Sequence, residues 1–285
     1  MPPALHVLQQ RIALHTWTLD TTPLPEVLEV AREAGFDAIE TRYEDFKRCA
    51  DVGLSEARAL DLIRSSGLAV SVMGTEYGLI FAQGEEVARL LGSLERTCEQ
   101  AQALGCDMIM VAPGPNAPTT LEHAAENFRK GGEVAQRYGV RFSLEFNSRH
   151  SIINTIGAAR RILELASHPS CGLLLDAYHM HYSGLVGRAF TSLPLADLFT
   201  FQYSDAPPGE MSQVRTALDR LPPGQGVIPW IDVFQGLMEM GYEGWLNYEA
   251  PNPALWSRPP LEVAREGVSA TRKLLAEAEA GLAPK

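Results

Sequence analysis

The sequence is poor in cysteine, in clustered basic residues and in long apolar runs, and each shortage removes a class of function. Its 4 cysteines, Cys49, Cys98, Cys106 and Cys171, are scattered through 285 residues. They form no CxxC pair and no close-spaced framework, which argues against a disulfide scaffold and for reduced thiols in the cytoplasm. No apolar stretch reaches the roughly 20 residues that a membrane-spanning helix needs. The opening MPPALHVLQQR lacks the apolar core of a signal peptide. Lys and Arg number 24 against 35 Asp and Glu, a formal net charge of −11, with no dense basic run. A nucleic-acid partner needs a Lys/Arg field, so neither nucleic acid nor membrane is an expected partner. No glycine-rich phosphate loop is present either, which removes the usual nucleotide-binding signature.

What is there is alternation. Short β-like runs at 11–16, 36–41, 68–74, 106–114, 140–146, 171–176, 198–205 and 244–250 are each followed by a helix-like segment, several of them stopped by Gly. The segments are 24–35, 54–67, 84–105, 119–139, 155–168, a weaker one at 188–197, 228–241 and 261–280. Eight such units with no linker between them predict a (β/α)8 TIM barrel of class α/β, one domain over 1–285. The Pro/Gly-rich stretch at 205–226 falls between strand seven and its helix, where a barrel enzyme places an active-site loop.

In such barrels chemistry sits at the C-terminal strand ends. Strand five ends in Glu145 and strand six in Asp176; strand seven carries Gln202, with Asp205 beyond it, and strand eight carries Glu249. One carboxylate at a strand end is most often a helix N-cap or a solvated loop residue. Polar groups on successive strands, each behind an apolar run, are harder to obtain from capping alone. Neighbouring strands lie about 5 Å apart, so these groups can converge. Converging carboxylates repel unless a cation sits among them, and oxygen donors suit Mn²⁺, Mg²⁺ or Co²⁺ better than a thiolate-type zinc site.

The segments VRFSLEFNS, GLLLDAYHMHYSG, FQYSDAP, RLPPGQGVIPW and GYEGWLNYEAPNPALW resemble the xylose isomerase-like barrel family of sugar isomerases and epimerases. The C-terminal half is most similar to its 2-keto-myo-inositol (inosose) isomerase branch, and GFDAIETRYEDF fits the same branch. The resemblance implies one divalent metal, Mn²⁺ first, bound by Glu145, Asp176, Gln202 and Glu249. It also implies that His179, in an Asp-x-x-His spacing, contacts a substrate oxygen. The chain departs from its branch at one point. Inosose isomerases and ketose epimerases usually carry His on strand seven, whereas Gln202 is what hydroxypyruvate isomerase relatives use. An amide oxygen there tilts the site toward Mn²⁺ or Mg²⁺.

Further candidates come from position alone. Arg220 precedes the Pro/Gly loop and is a candidate clamp for a substrate oxygen, against the reading of a solvated surface Arg. Trp17 is a candidate wall for a sugar ring, as are Tyr43, Trp230 and Trp256, against ordinary packing. His150 and His181 are weaker pocket-wall candidates.

The expected chemistry is proton transfer beside a carbonyl. A metal chelated by a keto sugar or inosose acidifies the intervening C–H, and Glu145 and Glu249 act as the acid–base pair through an enediolate. The substrate is expected to be a non-phosphorylated small molecule, and the assembly a homo-oligomer, a dimer or tetramer. A dehydratase or lyase is the nearest alternative: the same intermediate expels a β-hydroxyl, as in the inosose and 3-dehydroshikimate dehydratases of the family it resembles, or a similar elimination cleaves a C-linked or 3-keto glycoside. An endonuclease IV-type phosphodiesterase needs three zinc ions, more strand-end histidines and a basic face, and 7 His with a charge of −11 count against it. A barrel that only binds a sugar or a partner protein would be expected to have lost at least one metal-competent position.

Overall fold

The computed structural model describes residues 7–116, 119–209 and 217–282. Eight strands lie within them: β1 (Ile12–His15), β2 (Ala38–Thr41), β3 (Ala69–Gly74), β4 (Met108–Val111), β5 (Arg141–Glu145), β6 (Cys171–Asp176), β7 (Leu198–Tyr203) and β8 (Leu246–Tyr248). All neighbours pair in parallel, in sequence order, and β8 closes on β1. The result is a single-domain TIM barrel. Most strand residues are buried without alternation, because helices cover one face and the barrel interior fills the other.

Helices Leu24–Ala34, Glu56–Ser65, Glu85–Leu104, Leu121–Arg137, Ile156–Ala166, Trp230–Glu239 and Pro260–Leu282 stand where the sequence pattern predicts them. Left-handed Gly35 (φ 93°) and Gly105 (φ 68°) terminate two of them. The segment 188–197 differs: it forms two 3-10 turns, Gly187–Ser192 and Leu195–Asp197, split by Pro194. A further helix, Tyr43–Asp51, follows β2, and a short one, Ala177–Tyr182, follows β6. No described helix is long and apolar enough to cross a membrane.

The barrel interior is partly polar, and its bonds cross from wall to wall. Ser71 on β3 donates to Asn247 Oδ1 on β8 (2.6 Å), and Asn247 Nδ2 donates to Thr200 on β7 (2.9 Å). β3 and β8 are not neighbours, so the first bond spans the lumen. It forms a satisfied floor beneath the strand-end residues.

Gly131 and Gly132 look like helix breakers in sequence but are packing devices. A Cβ at Gly131 would sit 2.3 Å from the Phe142 ring of β5, and one at Gly132 would sit 2.5 Å from Cys171 Sγ of β6. Gly92, in contrast, lies in the helix Glu85–Leu104 with open space around it: a methyl group there would meet nothing within 4 Å. The same substitution should therefore have opposite signs. Gly92→Ala should stabilise by up to about 1 kcal/mol through helix propensity. Gly131→Ala should destabilise by about 1–3 kcal/mol through overpacking against Phe142. Urea unfolding midpoints of the two variants check this.

Candidate active site

The strand-end residues do converge. Glu145 ends β5, Asp176 ends β6, Gln202 lies in β7 as the register partner of Asp176, and Glu249 follows β8; all are buried. Asp176 divides its oxygens between two tasks. Oδ1 accepts from the Tyr178 amide (2.8 Å) and so caps helix Ala177–Tyr182, while Oδ2 accepts from Arg220 Nη1 (2.7 Å). Capping is thus true of Asp176 and leaves its second oxygen to the site.

Arg220 is 1% exposed, so the solvated-surface reading fails. Its Nη1 also lies 3.0 Å from Glu249 Oε2, and its guanidinium stacks 4.4 Å over the Tyr178 ring. The placement comes from the loop after β7. Asp205 Oδ1 accepts from the amides of Ala206 (2.9 Å) and Ile228 (3.0 Å); Oδ2 accepts from the Gly224 amide (2.8 Å) and Trp230 Nε1 (2.9 Å). The backbones of Asp205 and Leu221 also bond to each other in both directions (2.7 and 3.0 Å). Asp205 therefore staples down the loop that carries Arg220 and does not join the cluster. Gly226 has to be glycine, since a Cβ there would lie 2.4 Å from Asp205 Oδ1.

His179 enters the cluster more deeply than a simple substrate contact. Its Nε2 lies 3.7 Å from Glu145 Oε1 and 3.9 Å from Asp176 Oδ2, and one ligand atom from each of these residues lies within 4.8 Å of the others. Arg220 Nη2 approaches Nε2 at 3.5 Å. Arginine only donates, so Nε2 carries the lone pair and Nδ1–H donates to Ser148 Oγ (3.0 Å). Burial pulls the imidazole down to about 4, with Asp176 opposing and Arg220 reinforcing, so it is neutral near pH 7.

Two residues that the strand-end pattern did not single out complete the ring. Glu40, at β2, is wholly buried, and Gln202 Nε2 donates to its Oε1 across the barrel (2.7 Å). His15 accepts the Trp17 amide on Nδ1 (3.1 Å), so its Nε2–H faces Glu249 Oε1 (3.4 Å) and Glu40 Oε1 (3.7 Å). Glu40 is legible by the rule that finds the others, because it too lies at the end of an apolar strand. Burial, then Glu249, pushes the Glu40 carboxyl well above its usual range, with Gln202 pulling the other way. Burial and then Glu249 and Asp176 do the same to Glu145, against Arg220. Glu249 rises to about 7 through burial, with Arg220 opposing. His15 is held well below 6.5, by burial first and by Arg42 and Arg220 second.

The cluster fits a divalent cation on its own terms. Glu40, Glu145, Asp176 and Glu249 gather around Arg220, with a lesser pull from Arg42 on Glu249, and burial holds both histidines below their usual range. Gln202 Oε1 and Glu40 Oε2 are buried with no hydrogen-bond partner, and Glu249 Oε2 has only its ion pair with Arg220. Buried acceptors left unsatisfied are costly and call for a donor or a cation.

The remaining candidates lie outside the cluster. Trp17 walls a cavity of about 430 Å³ with Arg42, Tyr43, Glu76 and Tyr77. A larger cavity of about 620 Å³, between Thr22, Cys49 and Leu54, holds none of the strand-end carboxylates. Trp230 packs on Tyr203 and Phe234, and Trp256 Nε1 donates to the Thr18 carbonyl (3.2 Å). His150 stacks on Phe81 and accepts two loop amides, and the His181 ring edges onto Tyr182.

Known proteins share this frame. The chain is 25% identical over 248 residues to a 3-dehydroshikimate dehydratase of Pseudomonas putida, covering 86% of this chain but 39% of that protein. It is 23% identical over 271 residues to an inosose isomerase of Halalkalibacterium halodurans, covering 91% and 94% of the two chains. The crystal structure of an IolI protein with a bound zinc atom superposes with a TM-score of 0.85 at 19% identity, covering 94% of this chain and 99% of that one. The model of the xylose isomerase-like TIM barrel family matches residues 28–274, and with that match over a barrel whose strand ends carry the carboxylate cluster, the chain belongs to this family.

Proposed function

We propose that the protein is a divalent-metal-dependent isomerase or epimerase of a keto sugar or inosose, working by proton transfer beside the carbonyl. The observation that carries this reading is the placement of Glu145 and Glu249. They come from β5 and from beyond β8, strands that are not neighbours, and both are buried beside Asp176 and Arg220. The inosose isomerase and ketose epimerase relatives support it.

A cation held by Glu145, Asp176, Gln202 and Glu249, Mn²⁺ in preference, would polarise the carbonyl and stabilise the charge that builds on its oxygen. The protein's own groups do the rest. One of the two glutamates takes the proton from the carbon beside the carbonyl. The other, protonated, returns a proton to the opposite face in epimerisation; in isomerisation it goes to the neighbouring carbon while the hydroxyl proton passes to the former carbonyl oxygen, so atoms and charge balance. The His179 Nε2 lone pair accepts from a substrate hydroxyl, and Arg220 Nη2 donates to a substrate oxygen. Trp17, which lines the cavity of about 430 Å³ with Tyr77, is the aromatic wall this reading assigns to the substrate ring.

Dehydration is the second reading, because dehydratase relatives at 25% and 27% identity each cover 86% of this chain. The same enolate then expels a β-hydroxyl. An unsaturated product, without an isomer carrying solvent deuterium, would select it.

Two outcomes test the main reading. With saturating Mn²⁺ and an inosose or ketose panel in D₂O, Glu145→Gln and Glu249→Gln should each lose about 10²–10⁴-fold in turnover. Loss of the abstracting glutamate should also stop deuterium wash-in, and full rescue of both by added metal would rule out the two-carboxylate mechanism. The second outcome concerns pH. Carboxyls raised in the folded state hold protons that the unfolded chain releases, so the metal-free fold loses stability as pH rises above the unfolded value of about 4.5. The melting temperature in EDTA should fall between about pH 5 and 8, and saturating Mn²⁺ should remove most of that fall. Parallel melting curves with and without metal would contradict it.

A further inference from the structure

Resting on the reading of Gln202 as a cation ligand, the geometry points to Glu40 as a positioning residue that decides which end of the Gln202 amide faces the cation. An amide has one end that can ligate a metal and one that cannot. The two ends are close in shape, so packing alone does not choose between them. The chooser has to be a hydrogen-bond partner of one kind only. Glu40 Oε1 is that partner: it accepts from Gln202 Nε2 at 2.7 Å, three strands away across the lumen, and faces the His15 N–H as well, so it is an acceptor whether or not Oε2 carries a proton. With the nitrogen held there, Oε1 of the amide is turned to the other side, where it is buried without a partner.

Glu40 is itself held. Its strand neighbour His15, locked by the Trp17 amide on Nδ1, presents Nε2–H at 3.7 Å to the same Oε1. The charged groups that bear on Glu40 are Glu249 and Asp176. A bond serving only to tie β2 to β7 would be served as well by an apolar pair, without the cost of a buried carboxylate. It would also leave no bare oxygen on both partners, which is what Glu40 Oε2 and Gln202 Oε1 present. The arrangement is that of an outer partner orienting a ligand and not of a structural tie.

The test is calorimetric titration of Mn²⁺ into purified, metal-stripped protein. Glu40→Gln keeps the size but can offer either a donor or an acceptor, so it loses the choice. Its Mn²⁺ affinity should fall about 10–100-fold. Its metal-free melting temperature should not fall below that of the unsubstituted protein, since a buried carboxylate has been removed. In a Gln202→Ala background the same substitution should cost no further affinity. The exchange of Glu40→Gln with Gln202→Glu should return affinity to the starting level, because both ends of a carboxylate are oxygen and no orientation is needed. This exchange also keeps the test open if the single variant folds poorly. Unchanged affinity in Glu40→Gln, or an equal loss with and without Gln202, overturns the assignment. Failure of the unsubstituted protein to take up Mn²⁺ overturns the cation site itself, and this assignment with it.

Discussion

Like charge gathered in one small space is the constraint on which this site depends. Glu40, Glu145, Asp176 and Glu249 crowd into the C-terminal mouth of the barrel, all at least nine-tenths buried. Water does not screen them there, and each raises the cost of ionising the next. Arg220 meets two of them, and Gln202, His15 and His179 stand around the rest without charge. A barrel built for stability alone would fill these positions with apolar side chains. Keeping the carboxylates makes sense if something positive and removable sits among them, and burial raises Glu145 and Glu249, the two assigned to proton transfer, above the ordinary carboxylate range.

The rest of the frame serves that crowding. The floor of Ser71, Thr200 and Asn247 satisfies its own polar groups and leaves none to neutralise the carboxylates above. Asp205 spends a full carboxylate on four N–H donors to hold the loop, and Arg220 lies one residue from its paired Leu221. The helix Leu121–Arg137 lies close on β5 and β6, against Phe142 and Cys171, because Gly131 and Gly132 carry no side chain. Glu145 and Asp176 stand at the ends of those two strands.

Much of this is legible in the sequence, and the failures have physical reasons. Apolar runs that end on Glu145 and Asp176, with Gln202 and Glu249 on the next two strands, mark the cluster because strand ends are a local signal. Glu40 carries the same mark but lies far back in the chain, and its partner Gln202 sits 162 residues away. Arg220 cannot be placed from sequence, since its burial depends on bonds from Asp205 across a loop with no periodicity. His179 reads as contacting a substrate oxygen, and only the fold shows that the short helix after β6 also sets it beside Glu145 and Asp176. Segment 188–197 gives a weak helical signal because it carries no sustained apolar stripe, and it folds as 3-10 turns.

On the proposed reading the crowded carboxylates hold a divalent cation close to where Arg220 bridges Asp176 and Glu249. Anomalous diffraction from crystals grown with Mn²⁺ tests it most directly. One strong peak is expected within bonding distance of Glu145, Asp176, Gln202 and Glu249, with Arg220 Nη1 drawn back from its 2.7 and 3.0 Å contacts. Density that shows those contacts intact at saturating Mn²⁺, with no peak among the four side chains, would contradict it.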